Sequence, residues 1–145
     1  MKAFVISFNR ITVTREMCEY LADNGCEPIL IDNGSSYPPL LEWYKTCPHK
    51  VHMMPAGSGH RSLWQSGLIN QYPDEHYIVT DHDLDLSGVP GDFVDVLFKG
   101  LEWTRGAILT SWLKSTVLRT AFSFRRNILK TTSSSATTRS TITIR

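Results

Sequence analysis

Hydrophobic residues in the first hundred positions fall into four short runs, each followed by a helical pattern. The first run, Ala3-Phe4-Val5-Ile6, is β-branched and aromatic, as a strand buried on both faces should be. It breaks at Ser7-Phe8-Asn9-Arg10. A helix fits Val13 to Asn24: Val13, Met17, Tyr20 and Leu21 form one apolar face, Thr12 is the expected N-cap, and Asn24-Gly25 is a stop. The second run, Pro28-Ile29-Leu30-Ile31, ends in Asp32-Asn33-Gly34-Ser35-Ser36. Ser36 is the expected cap of the next helix, Pro38 suits its first turn, and Leu40, Leu41 and Tyr44 face inward. A weaker strand, Lys50 to Met54, leads into the Gly-rich turn Pro55-Ala56-Gly57-Ser58-Gly59. A helix is predicted from about His60 to Gln71, carrying Leu63, Trp64, Leu68 and Ile69. The fourth strand, His76 to Thr80, runs straight into Asp81-His82-Asp83-Leu84-Asp85. A last helix spans Phe93 to Glu102.

Strand–helix alternation at intervals of 22–26 residues predicts an α/β fold, a mainly parallel sheet with helices on both faces. In such sheets ligands bind beyond the carboxyl ends of the strands. Those ends are Ser7–Arg10, Asp32–Ser36, Pro55–Arg61 and Asp81–Asp85, and they hold most of the chemically interesting polar residues.

Asp81-His82-Asp83 is the sharpest of these features. Two carboxylates two residues apart on an extended segment point the same way, so both can offer oxygens to a hard divalent cation. Such a cation makes sense beside a diphosphate. A bare carboxylate about 4 Å from a phosphate charge costs roughly 4 kcal/mol at an effective dielectric near 20. Bridging Mg²⁺ or Mn²⁺ reverses that sign. The bland alternative is a turn-capping Asp81 with Asp83 and Asp85 as solvated loop charges. Asp32-Asn33-Gly34-Ser35 offers an acid for a base or ribose and a glycine for close backbone approach, or is an ordinary turn. Asn9-Arg10 and His60-Arg61 can place cationic forks near phosphate oxygens, or are surface residues. Cys47-x-His49-x-x-His52 lacks a second pair at zinc-finger spacing. Neither a G-x-G-x-x-G after the first strand nor a P-loop is present.

Composition divides the chain in two. Residues 1–103 hold all fourteen acids against seven Lys and Arg, a net −7. Residues 104–145 hold eight basic residues and no acid, and 17 of those 42 positions are Ser or Thr. The longest apolar run is four residues, against the roughly 20 a membrane span needs. The first ten residues have no signal-peptide core, and three irregularly spaced cysteines suit a reducing compartment. The expectation is a cytoplasmic protein with no transmembrane segment.

The four strand-end segments together resemble a family-2-type glycosyltransferase with the GT-A nucleotide-sugar-binding fold. The resemblance rests on Val5 to Arg10, Ile29 to Ser35, Gly57 to Arg61 and Tyr77 to Asp85, in that order and spacing, and covers about residues 2–102. It implies a donor-binding half over residues 1–103, with a nucleotide diphosphate sugar (UDP- or GDP-linked) as donor. The nucleotide-sugar would meet Ser7, Asn9, Arg10, Asp32, Asn33, Arg61 and Asp81, with Asp32 reading the base. Asp81 and Asp83 would hold Mn²⁺ or Mg²⁺, Asp83 being the principal ligand. The reaction implied is metal-dependent transfer of the sugar to an acceptor hydroxyl, with inversion.

Two departures from that family stand out. His60 precedes Arg61 where relatives carry a small residue. No Asp or Glu follows Glu102, so no general base is named for the acceptor hydroxyl. After Lys130 the string TTSSSATTRSTITIR has little to bury and reads as disorder or a frayed edge, although 106–110 has strand character. Residues 104–145 are expected either to be a basic tail for phosphate-rich partners or, the preferred reading, a non-homologous translation after loss of frame; nucleic acid is not an expected partner. Two rivals to the transferase remain: a nucleotide- or metal-binding remnant without turnover, and a haloacid-dehalogenase-type phosphotransferase, whose nucleophile motif Asp81-x-Asp83 also resembles.

Overall fold

The computed structural model describes residues 1–72, 76–103, 109–112 and 141–144. Strands β1 (Lys2–Ser7), β2 (Glu27–Asp32), β3 (Lys50–Met53) and β4 (Tyr77–Asp81) lie parallel in the order β3-β2-β1-β4. Two further strands, β5 (Leu109–Trp112) and β6 (Thr141–Ile144), complete a six-stranded sheet in which β6 pairs antiparallel with both β4 and β5. Helices α1 (Ile11–Asp23), α2 (Pro38–Tyr44), the single turn α3 (Ser62–Gln65) and α4 (Phe93–Trp103) connect or follow the parallel strands. The expected α/β class with a parallel sheet, GT-A-like in architecture, is what forms.

Period-two alternation sorts the strand residues into two cores. Ala3, Val5, Leu30 and Ile78 point to the face covered by Met17, Cys18 and Leu21 of α1, with Leu84 and Phe93 beside them. Phe4, Ile6, Ile29, Ile31, Tyr77 and Val79 point the other way, against Leu63 and Leu68. Both faces are therefore dry, which is why the strands read as continuous apolar runs rather than as alternation. Each fully buried side chain of this size contributes about 1.5–3 kcal/mol, so neither face is dispensable.

Several boundaries differ from expectation, each for a local reason. Asn9 adopts a left-handed φ of 53°, which breaks the chain early enough for α1 to begin at Ile11. Thr12 thus lies inside the first turn and caps nothing; Arg10 occupies the N-cap position without a side-chain bond. Ser36 does not cap α2 either. The N-cap is Tyr37, and the carboxamide oxygen of Asn9 accepts the Ser36 and Tyr37 N–H groups at 2.7 and 2.9 Å. The helix predicted for 60–71 is broken by Gly67 at φ 70°, leaving 3₁₀ turns at Gly59–Arg61 and Leu68–Gln71 around α3. Within the tail, Thr141–Ile144, expected as disordered or frayed, forms a strand between β4 and β5, and the strand expected at 106–110 is Leu109–Trp112. The other tail residues lie outside the described ones.

Burial also sets the thiols. Cys18 is fully buried, and removal from water, aided by Cys47 and Glu19 nearby, pushes its pKa up to about 12 from 9.0. Between those two values the unfolded chain binds fewer protons than the folded one, so stability falls as pH rises through that window. Urea midpoints are expected to drop from pH 8.5 to pH 11, and Cys18→Ala is expected to flatten the drop. A brief iodoacetamide pulse at pH 8, read by mass spectrometry, should label the half-buried Cys47 before Cys18 or Cys26.

Candidate functional site at the strand ends

Register brings the chemistry together. Ser7 lies beside Asp32, Asp32 beside Met53, and Ile6 beside Asp81, so the four carboxyl ends finish at one level. The chain leaves β1 toward β2 and β3 on one side, and β4 lies on the other. Open α/β sheets bind ligands at such a reversal, in a crevice beyond the carboxyl ends of the strands.

Beneath the strand ends runs a chain of hydrogen bonds, buried at Asp32 and Ser35 and part-buried at Tyr44, Ser7 and Asn9. Asp32 has no exposed surface. Its Oδ1 accepts the Ser35 N–H at 2.7 Å, and its Oδ2 accepts the hydroxyls of Ser35 and Tyr44, the latter at 2.8 Å. With its proton directed to Asp32, Tyr44 accepts from Ser7 Oγ at 2.8 Å. Ser35 Oγ in turn accepts the Asn9 N–H at 2.9 Å. Burial raises the Tyr44 hydroxyl above its ordinary value; the Ser7 bond opposes this and the neighbouring Asp32 carboxylate reinforces it. Ser7 and Asp32, expected at the nucleotide, therefore sit inside the protein as braces, and Asp32 presents no oxygen to the crevice. Tyr44 was legible in the sequence only as an inward-facing ring. A tyrosine hydroxyl turned toward the core needs a partner, which was the signal available.

A second layer clamps the loop after β3 onto this floor. Met54 N–H donates to the Asp32 carbonyl at 2.7 Å, and Asn33 Nδ2 donates to the Gly59 carbonyl at 3.1 Å. Asn33 Oδ1 is buried without a partner among the described residues. Gly34, at φ 77°, permits the approach: a Cβ there would lie 2.5 Å from the Ala56 Cα. His60 and Arg61 follow on the exposed side of this loop, and no hydrogen bond or ion pair joins Arg61 to the floor among the described residues.

The third wall is the end of β4. The strand stops at Asp81, and His82 and Asp83 form a turn, so the extended geometry expected to align the two carboxylates is absent. Another contact positions Asp83: its Oδ2 accepts from Arg10 at 3.2 Å, joining turns 73 residues apart. His82 is tied by its N–H and Nδ1 to the Ile6 carbonyl, at 3.1 and 2.9 Å. Asp85 instead binds the Ser87 N–H, and the Ser87 hydrogen bonds lower its pKa. Among the described residues no group of three or more His, Cys, Asp and Glu surrounds one metal position. Asp81 and Asp83 supply two hard oxygen donors, too few for a closed protein site. They fit an open one completed by ligand and water oxygens.

Two exposed aromatics stand on these turns and were not among the residues expected at the site. Phe8 is 48% and Tyr37 42% exposed, and both are anchored next to Asn9, one by the chain and one by the Oδ1 bond. Exposed rings flanking a polar crevice suit a flat ligand.

No protein-family model matches the chain, and no curated protein matches its sequence. A solved structure does match. S. aureus TarS (residues 1–349), a glycosyltransferase, is similar with a TM-score of 0.52 at 14% identity. The similarity covers 89% of this chain and 38% of that one, so the chain spans well under half the length of that relative. The likeness is one of fold.

Two substitutions test the floor. Tyr44→Phe removes one donor from the buried Asp32 carboxylate and the acceptor of Ser7, and is expected to cost about 1–3 kcal/mol in urea unfolding. Gly34→Ala combines a left-handed φ with contact against Ala56 backbone, and is expected to cost more than the roughly 1–2 kcal/mol of the dihedral alone. Gly57→Ala, with an equally left-handed φ but open space around it, supplies the comparison.

Proposed function

We propose that residues 1–103 form the donor-binding half of a glycosyltransferase that takes a nucleotide diphosphate sugar and passes the sugar to an acceptor hydroxyl with inversion. The observation that carries this reading is the Arg10–Asp83 contact, which joins the turns after β1 and β4 where the strand order reverses, with Asn9 next to Arg10 and Asp81 at the end of β4. A flat base would stack at Phe8 and Tyr37, which Asn9 holds in place. Asp32 contributes indirectly, orienting Ser35 and through it the Asn9 turn. Arg10 and Arg61 are the cations of the two flanking turns and would meet diphosphate oxygens. Asp83, with Asp81, would hold Mn²⁺ or Mg²⁺, which when bound offsets diphosphate charge and favours its departure.

A second reading is a nucleotide- and metal-binding chain without turnover: within residues 104–145 no Asp or Glu is present to act as general base. No helix among the described residues is long and apolar enough to cross a membrane.

Calorimetric titration with UDP- and GDP-sugars, with and without Mn²⁺, tests the donor site. Binding is expected to need the metal and to be abolished in Asp83→Ala. Binding indifferent to both metal and Asp83 would remove the reading. Sugar release or transfer followed in the same samples separates the transferase from the remnant.

A further inference from the structure

The Arg10–Asp83 pair links the carboxyl ends of β1 and β4 across the crevice by one contact of 3.2 Å. Its exposure, 63% for Arg10 and 29% for Asp83, makes it a weak fastener. Ion pairs this open to water contribute little to stability, and the backbone pairing of β1 with β4 already holds the two turns together. The contact does, however, set the charge beside the carboxylate proposed as principal metal ligand.

We propose that Arg10 is a charge gate on Asp83. It opposes a bare divalent cation at that carboxylate and admits the cation together with a nucleoside diphosphate. A cation arriving alone must displace the guanidinium from Asp83 Oδ2 or sit beside its positive charge. A diphosphate arriving with the cation gives the guanidinium a better partner, because phosphate oxygens match its fork and the present contact uses one nitrogen only. The exposed Arg10 side chain has room to turn from Asp83 toward such a ligand without moving the backbone, which Asn9 anchors on both sides. Cation and diphosphate then assist each other's binding, and linkage requires that assistance to be reciprocal. The gate rests on the donor site proposed above and specifies how that site excludes free metal.

The test follows free Mn²⁺ by electron paramagnetic resonance while the full chain is titrated, with and without UDP or GDP. The proteins are the unaltered chain, Arg10→Gln and Arg10→Lys, each checked for folding by circular dichroism. In the unaltered chain, nucleotide is expected to strengthen Mn²⁺ binding roughly tenfold or more, within the usual span of couplings between sites. In Arg10→Gln, Mn²⁺ alone should bind roughly tenfold more tightly, and the strengthening by nucleotide should shrink to what the metal's own contact with the diphosphate supplies. Arg10→Lys, which keeps the charge but not the fork, should hold off Mn²⁺ alone as the unaltered chain does and show a smaller strengthening by nucleotide. Unchanged Mn²⁺ affinity and unchanged strengthening in Arg10→Gln would overturn the gate while leaving the donor site standing. Absence of Mn²⁺ binding to the unaltered chain with either nucleotide would remove the donor site and the gate together.

Discussion

A carboxylate without exposed surface has to be met by donors, and the donors of Asp32 come from both ends of the segment that follows it. Ser35 approaches from three residues on and Tyr44 from twelve. Leaving either oxygen unmet would cost the full desolvation of a charged group. Satisfying them bends 32–35 into a tight turn and draws the end of α2 against the strands. Ser7 and Asn9 then join the same network from β1. The loops at the strand ends are therefore shaped from beneath, by side chains packed inside the protein.

That arrangement divides labour between hidden and open side chains. Ser7, Asp32, Asn33 and Ser35 are buried and hold loops, while Phe8, Arg10, Tyr37 and Arg61 are exposed on those loops. Rigid backing with adaptable groups in front is what a binding site on loops requires, since ordering long side chains at the moment of binding costs affinity. The clamped loop after β3 follows the same logic. Gly34 and Ala56 meet backbone to backbone, so the loop lies directly on the floor with no side chain between them.

At the other wall the balance is electrostatic. Residues 1–103 carry a net −7, yet at the crevice the end of β4 meets a cation from the turn after β1. Carboxylates at a strand end repel an anionic ligand, and a positive partner beside them weakens that repulsion. Arg10 supplies that partner to Asp83, and a divalent ion would do so more strongly.

Hydrophobic periodicity alone determined the α/β class, the four parallel strands to within a residue or two, and the level at which their polar ends lie. Burial on both faces leaves a continuous apolar signature that short range order in the chain cannot disguise. Which of the polar residues face a ligand was not legible, because inward and outward positions at a strand end differ by one residue and by the turn that follows. Asp32 and Asp83 look alike in sequence, each an acid after an apolar strand. Only the folded chain decides that Asp32 is enclosed by Tyr44 and Ser35 while Asp83 is met by Arg10, since each of those partners except Ser35 is distant in sequence. Contacts made over such separations depend on strand order and register, and these belong to the tertiary structure.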